Sequence, residues 1–154
     1  MSNVRPMQVD DIPRCRAIIA GSEFFVSYGL CPDAVAKRLA DALDDSHSAL
    51  HVATSNDTVM GFSWVLPEGG FGRSPYLRLL AVDTHAHRSG IGRALMTAME
   101  QRYEASRDLL LLVTETNTQA QGFYERLGYQ RVGILTDYTQ EGTHECIYRK
   151  RLSR

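Results

Sequence analysis

The stretch His87-Arg88-Ser89-Gly90-Ile91-Gly92-Arg93-Ala94-Leu95 decides the fold of this chain. An apolar run, Tyr76 to Val82, leads into it. A helical pattern with Ile91, Leu95, Ala98 and Met99 on one side follows and is predicted to end near Ser106. A strand, a glycine-bearing turn and a helix start are the arrangement that receives phosphate. The first turn of a helix has N–H groups with no partner inside the helix, and its macrodipole adds roughly half a positive charge there. Glycine lets a ligand come close to the backbone, and Arg88 and Arg93 add full charge. The expected ligand is a phosphorylated co-substrate.

Working outward, Leu109 to Val113 is a continuous apolar run, as for a strand buried on both faces. Together with Tyr76 to Val82 and the helix between, it makes a βαβ unit with parallel strands and a right-handed crossover. Next comes a helix over Thr118 to Leu127, with Ala120, Phe123, Tyr124 and Leu127 at helical spacing and Gly128 just past its end. Strands over Gln130 to Thr136 and Glu145 to Leu152 close the chain.

Upstream, a first strand is expected to end across Met7 to Val9, with Asp10 or Asp11 capping a helix that has Pro13 in its first turn. Val35, Leu39 and Leu43 mark a second helix over Pro32 to Leu43. Between them Glu23 to Cys31 reads as an irregular aromatic segment, serving either the core or the wall of a site. Strands follow at Ala49 to Ala53 and Val59 to Leu66, then a long glycine-rich loop from Pro67 to Pro75. The predicted order is β-α-α-β-β-β-α-β-α-β-β.

The 154 residues fit one α/β domain spanning 1–154. A hydrophobic content of 44% favours a packed globule over disorder. The net charge of −1 gives no support to nucleic acid or an acidic membrane as partner. Arg149, Lys150, Arg151 and Arg154 read as a solvated terminal strand. Three widely spaced cysteines, Cys15, Cys31 and Cys146, offer neither a disulfide framework nor a metal site. With no signal-peptide pattern and no run near the roughly 20 apolar residues of a membrane span, a cytoplasmic location is expected.

The loop is not a P-loop, because Arg93-Ala94 follow Gly92 where Lys and Ser/Thr are needed. It is not a dinucleotide fingerprint either, because Leu95 stands where the third glycine belongs. The segment Leu79 to Leu95 instead resembles the acetyl-CoA-binding motif of the GNAT superfamily of N-acyltransferases, Gln/Arg-x-x-Gly-x-Gly/Ala. A second block, Asn117, Ala120 and Phe123-Tyr124-Glu125-Arg126-Leu127-Gly128-Tyr129, is similar to that family's N-x-x-A-x-x-F-Y-E-x-x-G-F pattern. The likeness covers about Tyr76 to Val132. His87 departs from it, standing where Gln or Arg is usual; imidazole can donate to a phosphate but lacks a fixed charge.

The resemblance implies a three-layer fold, a mixed sheet of about seven strands with helices on both faces. It implies acetyl transfer from acetyl-CoA to an amine, without a metal. Leu80, Ala81, Val82, His87, Arg88, Ser89, Gly90, Ile91, Gly92, Arg93 and Asn117 are then the coenzyme A contacts. Tyr124, also placed at the cofactor, is the acid that protonates the departing thiolate. The glutamate many relatives carry on the strand before the loop is missing, since Tyr76 to Val82 holds no carboxylate. Glu115 is the first replacement as base, ahead of Glu68, His144 and Glu145. A base matters most for an alkyl amine, of which roughly one in 10³ is neutral at pH 7.

Phe25, Tyr28, Arg73 and Tyr76 are the expected acceptor contacts. A small-molecule amine is the first choice of acceptor, a protein N-terminus or lysine the second, and a non-catalytic acyl-CoA sensor the other class. A homodimer through the terminal strands is compatible with the pattern.

Overall fold

The computed structural model describes residues 2–153. Its centre is a seven-stranded mixed sheet in the order β1-β2-β3-β4-β5-β7-β6. The strands are β1 (Ser2–Pro6), β2 (Ala49–Ser55), β3 (Thr58–Gly70), β4 (Ser74–Val82), β5 (Asp108–Thr114), β6 (Gln130–Gln140) and β7 (Thr143–Arg151). The helices are α1 (Ile12–Ala20), α2 (Glu23–Ser27), α3 (Pro32–Leu43), α4 (Ile91–Arg102) and α5 (Thr118–Arg126). Every neighbouring pair is antiparallel except β4 and β5, the parallel pair that the βαβ pattern predicts.

Period-two alternation along the strands sends side chains to two cores. Leu50, Val52, Phe62, Trp64 and Ala81 meet Ile18, Ile19 and Leu39 of α1 and α3 on one face. On the other, Val65, Leu77, Leu111, Cys146 and Tyr148 meet Met96 and Met99 of α4 and Tyr124 of α5. Ile91 and Leu95 seat the start of α4 against Ala53 and Ala86. Each such fully buried side chain contributes about 1.5–3 kcal/mol, so packing places the first turn of α4.

Several boundaries move. The first strand ends at Pro6, not across Met7 to Val9, because the Asp11 carboxylate takes the Gln8 N–H at 2.8 Å and both terminal nitrogens of Arg5 at 2.8 and 2.9 Å, which turns the chain. Val9–Asp11 is a 3-10 turn, and the Asp11 side chain does not cap α1. The aromatic segment contains α2, capped by Ser22, which accepts from Phe25 N–H at 3.3 Å. The expected glycine-rich loop is a hairpin, since β3 and β4 stay paired out to Gly70 and Ser74 around left-handed Phe71 and Gly72. α4 ends at Arg102, four residues short of Ser106. β5 is buried on one face only: Leu109, Leu111 and Val113 enter the core while Leu110 and Leu112 are half-buried.

An ion pair between Arg14 of α1 and Asp83 ties the first helix to the loop after β4. Arg14 Nε also donates to the Val59 carbonyl at 2.9 Å, and Asp83 accepts the His85 N–H at 2.8 Å. Burial pushes the Asp83 carboxyl up, but the His85 N–H and the Arg14 guanidinium outweigh it and hold the group below the usual carboxylate range. Hydrogen bonds from Arg5, opposed by burial and aided by the Gln8 N–H, lower Asp11 likewise.

A carboxylate with a depressed folded-state pKa stabilises fully above its unfolded value, about 3.9, and loses that contribution as pH falls through the folded value. The urea midpoint of the wild type should therefore drop steeply below about pH 4. Asp83→Asn should cost on the order of 1–3 kcal/mol at pH 7, given Arg14's partial exposure, and make the acid limb shallower. Urea titrations between pH 7 and pH 2 check both, and an unchanged acid limb in the variant contradicts the assignment.

Candidate active site

β4 and β5 share only the register pairs Tyr76↔Leu110 and Leu77↔Leu111. Beyond Leu77 the strands part, and β4 runs on to Val82 with β3 alone beside it. A cleft of about 330 Å³ fills the opening. Its walls are Leu77 to Leu80 from β4 and Leu111 to Thr114 from β5, with Asn117, Ala120 and Tyr124 from the α5 side. Phe24, Phe25 and Tyr28 of the α2 segment, Trp64 and Tyr76 form an aromatic wall, and Thr139 and Glu145 enter from β6 and β7. A larger cavity of about 460 Å³ lies between α4 and β1–β3, lined by His51, Ser63, Arg102 and Tyr103 among others. It holds none of the motif residues except Leu95, whereas the smaller cleft takes Leu79, Leu80, Asn117, Ala120 and Tyr124 from the two sequence blocks; Ala81, Val82 and His87 to Arg93 lie outside its lining.

The loop from Asp83 to Gly90 delivers the N-terminus of α4. Arg88 and Gly90 are both left-handed, at φ 66° and 88°, and they flank Ser89. Alternating turns of this kind aim successive N–H groups into one concavity, which suits an anion. A side chain at Gly90 would be strained by that φ although nothing lies within 4 Å of its site. Gly92 has a different reason: a Cβ there would stand 3.1 Å from the Phe123 ring. The two sequence blocks thus meet, since Phe123 of the second packs against Gly92 of the first. Arg88 and Arg93 are exposed and form no ion pair among the described residues. The His87 ring turns back, with Nε2 3.2 Å from the Val82 carbonyl oxygen.

Tyr124 lines the cleft at 8% exposure. Phe123 and Tyr129 meet its ring edge-on at centroid distances of 5.0 and 5.7 Å. Burial raises its hydroxyl above an ordinary phenol, so it carries its proton at neutral pH. Asn117 caps α5, its side-chain oxygen accepting from Ala120 N–H at 3.1 Å, and it also faces the cleft.

Phe25, Tyr28 and Tyr76 stand in the cleft wall. Arg73 does not; it lies exposed in the β3–β4 turn. Glu115 is exposed beyond the end of β5, where its backbone carbonyl accepts from Gln121 Nε2 at 2.7 Å, and it does not line the cleft. The carboxylate in the cleft is Glu145, buried to 3% exposure, which sequence reasoning ranks behind Glu115. A signal for it exists in the alternation of β7: Cys146 and Tyr148 face the core, so Glu145 faces away from them toward the cleft. Trp64, Arg38 and Thr139 also line the cleft without any local signature. Among the described residues no group of three His, Cys, Asp or Glu side chains is placed to hold a metal, and no helix is long and apolar enough to cross a membrane.

Solved structures share this fold along nearly the whole chain. A GNAT-family protein described as an acetyltransferase from Desulfovibrio desulfuricans superposes with a TM-score of 0.84 at 22% identity, covering 99% of both chains. The ribosomal-protein-S18-alanine N-acetyltransferase of Escherichia coli gives 0.79 at 21% identity, covering 100% of this chain and 96% of its own. In sequence, a mycothiol acetyltransferase from Salinispora tropica is 35% identical over 85 residues, which are 52% of this chain and 28% of that protein. This chain thus matches less than a third of the length of that relative. The family model of the acetyltransferase (GNAT) domain matches residues 21–150. The chain belongs to the GNAT acetyltransferase domain family.

Proposed function

We propose that this protein moves an acetyl group from acetyl-CoA to the primary amine of a small molecule. The observation that carries this reading is the parting of β4 from β5 beside the N-terminus of α4. It sets an unpaired strand edge next to an anion-binding turn, with a buried phenol facing the same opening. The loop from His87 to Arg93 would hold the coenzyme A pyrophosphate. The free edge through Leu80, Ala81 and Val82 would pair with the amide-bearing pantetheine arm, much as a strand would, and Asn117 lies close by. A main-chain N–H aimed at the thioester oxygen can lower the barrier by about 3 kcal/mol.

The reaction needs a neutral amine, a polarised carbonyl and a proton for the leaving sulfur. The amine nitrogen forms the new N–C bond with its lone pair, and the C–S bond breaks with its electrons going to sulfur. Tyr124 gives its phenolic proton to that sulfur and regains the single proton that the neutral amine loses on becoming an amide. A thiol has a pKa near about 8.5, so the leaving group is already good and the help is worth less than the full range of acid catalysis. The modest cleft volume favours a small acceptor over a broad peptide groove.

Acetyl-CoA should raise the melting temperature of the protein more than ATP or NAD at equal concentration, and a larger shift with either nucleotide contradicts the site assignment. Thiol release from acetyl-CoA across an amine panel then tests turnover. Binding of acetyl-CoA with no release on any amine would instead support a sensor. Tyr124→Phe should lower kcat by tens to hundreds of times without abolishing it. Wild-type kcat in that variant would remove the acid from Tyr124.

A further inference from the structure

Glu145 is a carboxylate at the floor of an aromatic cleft, and its hydrogen bonds are one-sided. The hydroxyls of Tyr28, Thr114 and Thr139 all reach Oε1, those of Thr114 and Thr139 at 3.2 and 3.5 Å. Oε2 takes none of these bonds. Tyr28 comes from the α2 end of the molecule and Glu145 from β7, so their contact spans the cleft between the two halves of the split sheet. Burial, and then the bond to Glu145, push the Tyr28 hydroxyl above the ordinary phenol range, which keeps it a donor at neutral pH. A carboxylate this buried, held by one oxygen, offers its other oxygen to whatever enters the cleft.

Two cations stand in the same cleft. Arg78 lays its guanidinium over the Trp64 ring, 4.4 Å from the centroid, and Arg38 projects from α3. Neither forms an ion pair among the described residues. The cleft therefore presents one buried acceptor of hydrogen bonds and two unneutralised guanidiniums.

We infer that Glu145 receives the amino group of the acceptor through Oε2 and takes its proton, and that Arg38 and Arg78 bind an acidic group on the same molecule. The acceptor is then a small zwitterion, an amine carrying a carboxylate or a similar anion. This rests on the acetyl-transfer reading above and narrows it. In the step itself Glu145 removes one proton from the acceptor ammonium, leaving the lone pair that forms the N–C bond. The second amine proton replaces the one Tyr124 gives to sulfur, and Glu145 passes its own to water. The products are the N-acetylated amine, coenzyme A thiol and one released proton.

Glu145→Gln preserves the shape and lets the amide oxygen keep the hydroxyl contacts, but sets an NH2 donor where the ammonium needs an acceptor. The test measures kcat/KM by thiol release for matched pairs, phenylalanine with phenylalaninamide and 4-aminobutyrate with 4-aminobutyramide, alongside acetyl-CoA binding by thermal shift. The wild type should prefer the acid in at least one pair by about tenfold or more, a preference that two exposed guanidiniums acting together on one carboxylate can supply. Arg38→Gln with Arg78→Gln should bring that ratio near one. Glu145→Gln should lose about 100-fold or more on every amine while keeping its acetyl-CoA shift. Turnover near wild type in Glu145→Gln, or a wild-type ratio at or below one in both pairs, overturns the inference and leaves acetyl transfer standing. Failure of the wild type to bind acetyl-CoA or release thiol with any amine overturns both. Should Glu145→Gln lose the acetyl-CoA shift through misfolding, the wild-type ratios and the arginine variant decide alone.

Discussion

From Arg78 onward β4 has a strand on one side only. Backbone N–H and C=O groups are obligatory hydrogen-bonding partners, and a strand inside a sheet normally satisfies both of its edges. Here one edge faces a cleft, because the parallel pair with β5 is given up after Leu77. The neighbouring strands hold the two halves in place. β3 keeps β4 in long antiparallel register on one side, while β7 pairs β5 along its full length on the other. A wedge so supported can present unpaired backbone to a ligand without closing on itself.

The remaining features of the site follow from what surrounds the wedge. The loop after β4 is anchored by the Arg14–Asp83 pair and by the packing of Ile91 and Leu95, so the N–H groups opening α4 are fixed beside the free strand edge. Gly92 lets Phe123 approach and sets α5 against α4, which in turn carries Tyr124 to the same opening. On the far side α2 and the β6–β7 pair reach toward each other through Tyr28, Thr139 and Glu145. On the proposed reading, donor chemistry is written in backbone geometry, and acceptor chemistry in a few side chains contributed by distant elements.

That division explains what could be read from the chain. Glycine positions, the βαβ pattern and the Asn117 to Tyr129 block are local in sequence, and they sufficed for the mixed sheet, the parallel pair and the family. The misplaced boundaries came from interactions that run between segments. Asp11 ends β1 through Arg5, and the hairpin at Phe71 extends strands into a stretch whose glycine content predicts a loop. The half-buried face of β5 is invisible to a run of Leu residues, because how deeply each face packs is a property of the fold. Glu145 was ranked low for a similar reason. The alternation of β7 sets which way it faces, but its place beside Tyr28, more than 100 residues earlier in the chain, is a property of the fold.

Amide hydrogen exchange with and without coenzyme A addresses the split sheet most directly. The account predicts slowed exchange on binding in two short segments, the Leu79 to Val82 edge of β4 and the Ser89 to Ala94 opening of α4, with little change along β1 and β2. Protection confined to the cavity between α4 and β1–β3, or no protection on β4, would contradict it.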